Sequence, residues 1–103
     1  MRVEYTWQVR TELRAIRDYI ARDNPSAAQR VVRAIEAEIE LLACFPWNGR
    51  KTDEQGVLGR TLSRYPYIVF YRVEADALII VHVLHAARRH PGFQETALEF
   101  VPV

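Results

Sequence analysis

Apolar residues return every three or four positions between Trp7 and Asp23. Val9, Leu13, Ile16 and Ile20 fall on one side of a helix, while Arg10, Arg14, Arg17, Asp18 and Arg22 fall mostly on the other. Ahead of this helix, residues 2–6 (RVEYT) alternate and read as a short strand. Behind it, Asn24-Pro25 marks a fresh start. Asn24 is a good N-cap, and Pro25 suits the first helical position, where its missing N–H costs nothing. A second stripe of Ala28, Val32, Ile35, Ile39 and Leu42 runs to about Ala43 and stops short of Pro46. So short a turn between two helices predicts an antiparallel hairpin. The period then changes. A polar, glycine-containing loop at 47–59 leads to three strands: 60–64, 67–73 (YIVFYRV) and 78–85 (LIIVHVLH), the last almost continuously apolar as a central strand is. Residues 74–77 turn between the last two. The order β-α-α-β-β-β predicts an α+β fold with an N-terminal strand and an antiparallel helical hairpin, followed by a three-stranded antiparallel meander. Leu13, Ile16, Ile20, Val32, Ile35, Ile39, Val69, Ile80 and Leu84 are its expected core.

Length and composition add bounds. A chain of 103 residues makes one domain over 1–103, with 86–103 as a tail that ends in LEFVPV. Half of the residues are apolar, enough for a core, yet no run approaches the ~18 that span a membrane. The opening MRVEYTWQVRTEL has no apolar signal region, so a cytoplasmic protein with no membrane association is expected. The net charge of +1 excludes little, but 13 of the 14 basic residues are arginine, the residue suited to bidentate contact with carboxylate or phosphate.

The candidate chemistry is sparse. Cys44, the single cysteine, rules out an intrachain disulfide and reads as a small buried hydrophobe at the end of a helical run. His82 and His85 lie three apart on a strand, so they point to opposite faces and share no metal; neither a metal nor a cofactor is expected. His90 joins Arg88 and Arg89 in a basic corner, which is either a solvated loop or a surface for an acidic partner or RNA. Tyr65, Tyr67 and Tyr71 alternate and read as packing residues, and Trp7 and Trp47 as seals at the ends of the hairpin. Arg60, Arg64 and Arg72, in or beside strands, either pair with acids from the helices or face a partner.

Several short motifs occur in order. They are I-x-x-Y-I at Ile16, Tyr19 and Ile20, and N-P-x-A-A at Asn24, Pro25, Ala27 and Ala28. L-x-x-x-P-x-x-G-R follows at Leu42, Pro46, Gly49 and Arg50, then the strand arginine Arg60. Y-P-Y-x-V-x-Y-R-V spans Tyr65–Val73, and V-L-H-A-A-R spans Val83–Arg88. Each is weak alone. In this order, over about residues 3–90, the chain resembles the ParE/RelE superfamily of toxins, and within it the ParE branch.

That resemblance implies the toxin of a type II toxin–antitoxin system, neutralised by a cognate antitoxin in a hetero-oligomer. It also implies one of two actions: RelE-like members cleave mRNA on the ribosome, and ParE-like members inhibit DNA gyrase. Metal-independent RNA cleavage needs a base, an acid and cations around the reacting phosphate. Arg88, His85 and His90 are the residues that would serve a nuclease. However, the arginine that such nucleases often carry after a mid-sheet tyrosine is Ile68 here, and in place of their C-terminal tyrosine the nearest aromatic is Phe93, which has no hydroxyl. The departures favour a gyrase-binding inhibitor over the ribosome-dependent endonuclease, with an inactive toxin-derived binding module as a third reading. Arg60, Arg64, Arg72, Arg88 and Arg89 are the expected partner-binding residues, meeting an acidic segment that folds on binding.

Overall fold

The computed structural model describes residues 1–87. The chain begins with β1 (Arg2–Tyr5), α1 (Trp7–Ala21) and α2 (Pro25–Cys44). A 3-10 turn, Pro46–Asn48, leads to β2 (Arg50–Lys51), β3 (Leu58–Thr61), β4 (Tyr67–Glu74) and β5 (Ala77–His85). The expected hairpin-on-sheet α+β fold is the one found.

Both helices start where the sequence provides a cap. The Thr6 hydroxyl accepts from the Val9 amide at 3.3 Å and donates to the Ile80 carbonyl at 3.0 Å, so a single side chain begins α1 and ties it to the sheet. The Asn24 side chain accepts from the Ala27 amide at 3.0 Å, and Pro25 opens α2. At the far end the α2 backbone turns at Phe45 and Pro46 follows, which lacks the N–H to extend the helix.

The sheet is mixed, in the order β1-β5-β4-β3-β2. β3, β4 and β5 form the antiparallel meander that the sequence predicts. Two features go beyond it. The two-residue β2 adds an edge next to β3, and β1 lies parallel to β5, with Val3 opposite Leu78 and Tyr5 opposite Ile80. The third strand also starts two residues earlier than expected, at Leu58. A bulge interrupts the central pair. Tyr71 faces Ile80 and Phe70 faces His82, which leaves Val81 as the extra residue.

The main core lies between the hairpin and the sheet. Val9, Leu13, Val31, Ile35, Ile39 and Leu42 of the helices meet Val69, Tyr71, Leu78, Ile80 and Val83. A second cluster of Val57, Ile68 and Phe70 has Val81 and Leu84 packed against it. Most of the expected core is confirmed, with two shifts. Val31, not Val32, is the buried valine of α2, and Val32 turns to the groove between the helices. Leu84 belongs to the second cluster rather than the first. The side-chain alternation of a strand puts it opposite Val83.

Three single-residue expectations are corrected. Trp7 and Trp47 seal nothing: they are 78% and 73% exposed. Trp7 is the first residue of α1, where Thr6 and Val9 already occupy the positions facing the sheet, and Trp47 rides the middle of the 3-10 turn. Cys44 is exposed, because the last turn of α2 directs Leu42 inward and Cys44 away.

Candidate functional site

The arginines of β3 and β4 are not loose. In β3, Arg60 reaches across to α2, its Nε 3.1 Å from the Glu38 carboxylate, and its guanidinium also donates to the Asn48 carbonyl at 3.5 Å. Arg72 in β4 pairs at 3.5 Å with Glu54 in the loop between β2 and β3, both about half exposed. Arg64, in the turn before β4, is exposed. The expected set is therefore spread over β3, a turn and β4. Arg88, Arg89 and His90 lie outside the described residues. His85 ends β5. Its ring packs edge-on against Tyr67, with centroids 5.2 Å apart, and its Nδ1 accepts from the Ala87 amide at 3.0 Å.

Ile68, where a nuclease of this kind often carries arginine, is 7% exposed and packs with Val57 and Phe70. The residue at that position offers a phosphate nothing.

A tyrosine organises the turn after α2. Tyr71, fully buried, sends its hydroxyl across to the 3-10 turn, where it donates to the Pro46 carbonyl at 2.8 Å and accepts from the Gly49 amide at 2.9 Å. A Cβ on Gly49 would collide with that hydroxyl, so the glycine is needed for close approach, not for its backbone freedom. Burial pushes the Tyr71 phenol above its usual 10.0, against the opposing pull of the Gly49 amide and the Arg60 charge. Arg60 holds the same turn through Asn48. The P-x-x-G-R motif and the V-x-Y-R end of the tyrosine-rich motif are thus two halves of one clasp, and Trp47 projects from it.

A second polar device joins α1 to the sheet. The Glu12 carboxylate accepts from the Val83 amide at 2.8 Å and sits 2.8 Å from His82 Nδ1. β1 pairs with β5 only as far as Ile80, so Glu12 stands beside the stretch of β5 that β1 does not reach. Sequence reasoning passed over Glu12. The signal was there: an acid beside Leu13, on the side of the helix that carries Val9 and Ile16.

On the hairpin, Tyr5, Leu13 and Val32 line a groove of about 570 Å³. Arg10, Arg14 and Arg17 of α1 and Glu36 and Glu40 of α2 complete its walls. Burial first, then Glu36 and Glu40, raise the Tyr5 phenol, while Arg10 lowers it. These arginines were read only as the outer face of an amphipathic helix; the groove makes them one wall of a cleft with an acidic wall opposite.

A helical hairpin on a mixed sheet, with arginines on its strands and a cleft of mixed charge beside the helices, is the fold that the motifs predicted. Residues 3–90 match the family of the ParE toxin of the type II toxin–antitoxin system parDE, and the chain belongs to that family. It is 39% identical over 87 residues to toxin RelE2 of Caulobacter vibrioides, covering 84% of this chain and 96% of that one. Toxin RelE3 of the same organism is 31% identical over 88 residues, covering 84% and 96%. Among solved structures, a chain of the chromosomal ParDE TA system from P. aeruginosa superposes with a TM-score of 0.74 at 26% identity, over 82% of this chain and 95% of that one. The protein is a toxin of a type II toxin–antitoxin system, in the ParE/RelE superfamily.

Proposed function

We propose that this toxin acts by binding, with DNA gyrase as its target, and that a cognate antitoxin neutralises it in a hetero-oligomer. The observation that carries the choice between binding and cleavage is Ile68. A metal-independent nuclease needs cations where negative charge develops on the phosphorane. At the position after the mid-sheet tyrosine this chain has a buried aliphatic side chain, packed with Val57 and Phe70. Arg60 and Arg72, the arginines of β3 and β4, are engaged by Glu38 and Glu54. Kinship with a chain of a ParDE system supports the antitoxin, and the cleft between α1 and α2 offers a partner helix an apolar floor with charged walls.

Expression of the chain alone in a bacterium tests the reading. Filamentation with an SOS response, and loss of supercoiling activity when the purified chain is added to gyrase, are the expected results. Rapid translation arrest with cleaved mRNA would replace this reading with the endonuclease, for which Arg88, His85 and His90 are the residues to examine.

A further inference from the structure

Outside the cleft, three of the large exposed apolar side chains of the described residues fall close together in the chain where α2 ends. Leu41 is 47% exposed, Phe45 57% and Trp47 73%. Leu41 and Phe45 are one helical turn apart, and Phe45 and Trp47 flank Pro46. Isolated exposed apolar residues are ordinary, but three within seven positions, two of them aromatic, are a patch. The patch is also held in place. Tyr71 bonds both Pro46 and Gly49, and Arg60 bonds Asn48, so each side of Trp47 is fixed by a side chain from the sheet. A tryptophan presented on a clamped turn loses little conformational freedom on binding, which makes it a good anchor.

Charge follows it along the chain. Arg50 and Lys51 follow the turn as the edge strand β2, and both are exposed. Among the described residues no carboxylate is within ion-pair distance of either, whereas Arg60 and Arg72 each have one. Basic residues on an edge strand do protect it from pairing with other chains. That role alone leaves the adjoining exposed aromatics without a purpose.

We infer that Phe45, Trp47, Arg50 and Lys51 form a docking surface for an acidic segment of the antitoxin, whose apolar side chains cover the two aromatics while its carboxylates meet the two cations. The inference rests on the proposal that an antitoxin neutralises this toxin. It moves the acidic contact away from Arg60 and Arg72, where a partner would first have to displace Glu38 or Glu54, to cations that have no carboxylate partner among the described residues. The occupant is acidic because complementarity requires it: a neutral or basic segment would leave Arg50 and Lys51 facing no anion or a like charge.

The test is binding between the full-length chain and the product of the small open reading frame beside its gene. Phe45→Ala with Trp47→Ala should weaken the complex by about 30-fold or more, the scale of an interface anchor. Arg50→Glu with Lys51→Glu should weaken it by about tenfold or more and flatten its dependence on salt. All four side chains are on the surface, so thermal unfolding should match that of the parent. Amides of residues 45–51 should exchange more slowly in the complex. Affinities within about twofold of the parent for both variants, with the complex intact, would overturn the docking surface and leave the antitoxin reading standing. Loss of toxicity with unchanged antitoxin affinity would overturn it too, assigning the patch to the target. Failure of the parent chain to bind its neighbour's product would sink the antitoxin reading and this inference together.

Discussion

At the scale of single residues, Tyr71 carries the most. Its ring belongs to the main core, and its hydroxyl bonds the turn that follows α2. Tyr71→Phe keeps the ring but leaves the Pro46 carbonyl and Gly49 amide without that partner. A loss of about 1–3 kcal/mol is expected, read from denaturant unfolding. The same hydroxyl sets a pH limit. A phenol raised in the folded state stabilises the fold below the unfolded value of 10.0, and that contribution is lost as pH rises through the higher folded value. Stability should therefore fall on the alkaline side of pH 10, less steeply in Tyr71→Phe; Tyr5, raised as well, acts in the same sense. Ile35, with no exposed surface, tests the core more simply. Ile35→Ala should cost about 2–5 kcal/mol by leaving a cavity, and a calorimetric change below that range would mean that the helices close around the gap.

At the scale of elements, the joint between α1 and β5 depends on Glu12. The carboxylate takes the Val83 amide and His82 beside the part of β5 that lies beyond β1. Glu12→Ala should destabilise by about 1–3 kcal/mol and speed hydrogen exchange at Val83, while Glu12→Gln, which keeps an acceptor oxygen, should lose less. An unchanged Val83 exchange rate in Glu12→Ala would show that water replaces the carboxylate at no cost. The helices and the meander were legible because each declares itself locally. Asn24-Pro25 caps α2, periodic apolar residues mark both helices, and YIVFYRV and LIIVHVLH are dense in β-branched and aromatic residues. What was not legible is long-range. The Thr6 hydroxyl meets a carbonyl 74 residues away, and the parallel pairing of β1 leaves no trace in either strand's own pattern. The bulge at Val81 depends on pairing in the same way. Trp47 misled for a different reason: its composition says buried, and only the clasp beneath it explains why it is not.

At the scale of the whole molecule, the expected site residues divide by what they already touch. Arg60 and Arg72 are bound to the chain's own acids, and Arg64 is exposed. That puts weight on the basic run after β5, in Arg88 and Arg89. Arg88→Ala with Arg89→Ala should reduce toxicity in a growth assay while leaving the melting temperature unchanged. Full toxicity from the folded double variant would remove that run from the mechanism. The division also says why the candidate site was only half visible in the sequence. Counting arginines finds the cations, but whether each is free depends on Glu38 and Glu54, which sit 22 and 18 residues from their partners along the chain.

The position of β5 also sets a schedule. β5 is laid between β1 and β4, so the first strand made is joined to the rest of the sheet only by the last strand described. A ribosome delivers the chain from its N-terminus, at roughly 5–20 residues per second. Throughout most of that time β1 has no strand to pair with, the hairpin has no complete sheet to cover, and Glu12 has no amide to cap. A chain that stops before Ala77 lacks the inner strand altogether and should be cleared as an unfolded fragment. The folded form of this protein thus exists only once most of it has been made, and a partner already present has the whole of that interval in which to arrive first.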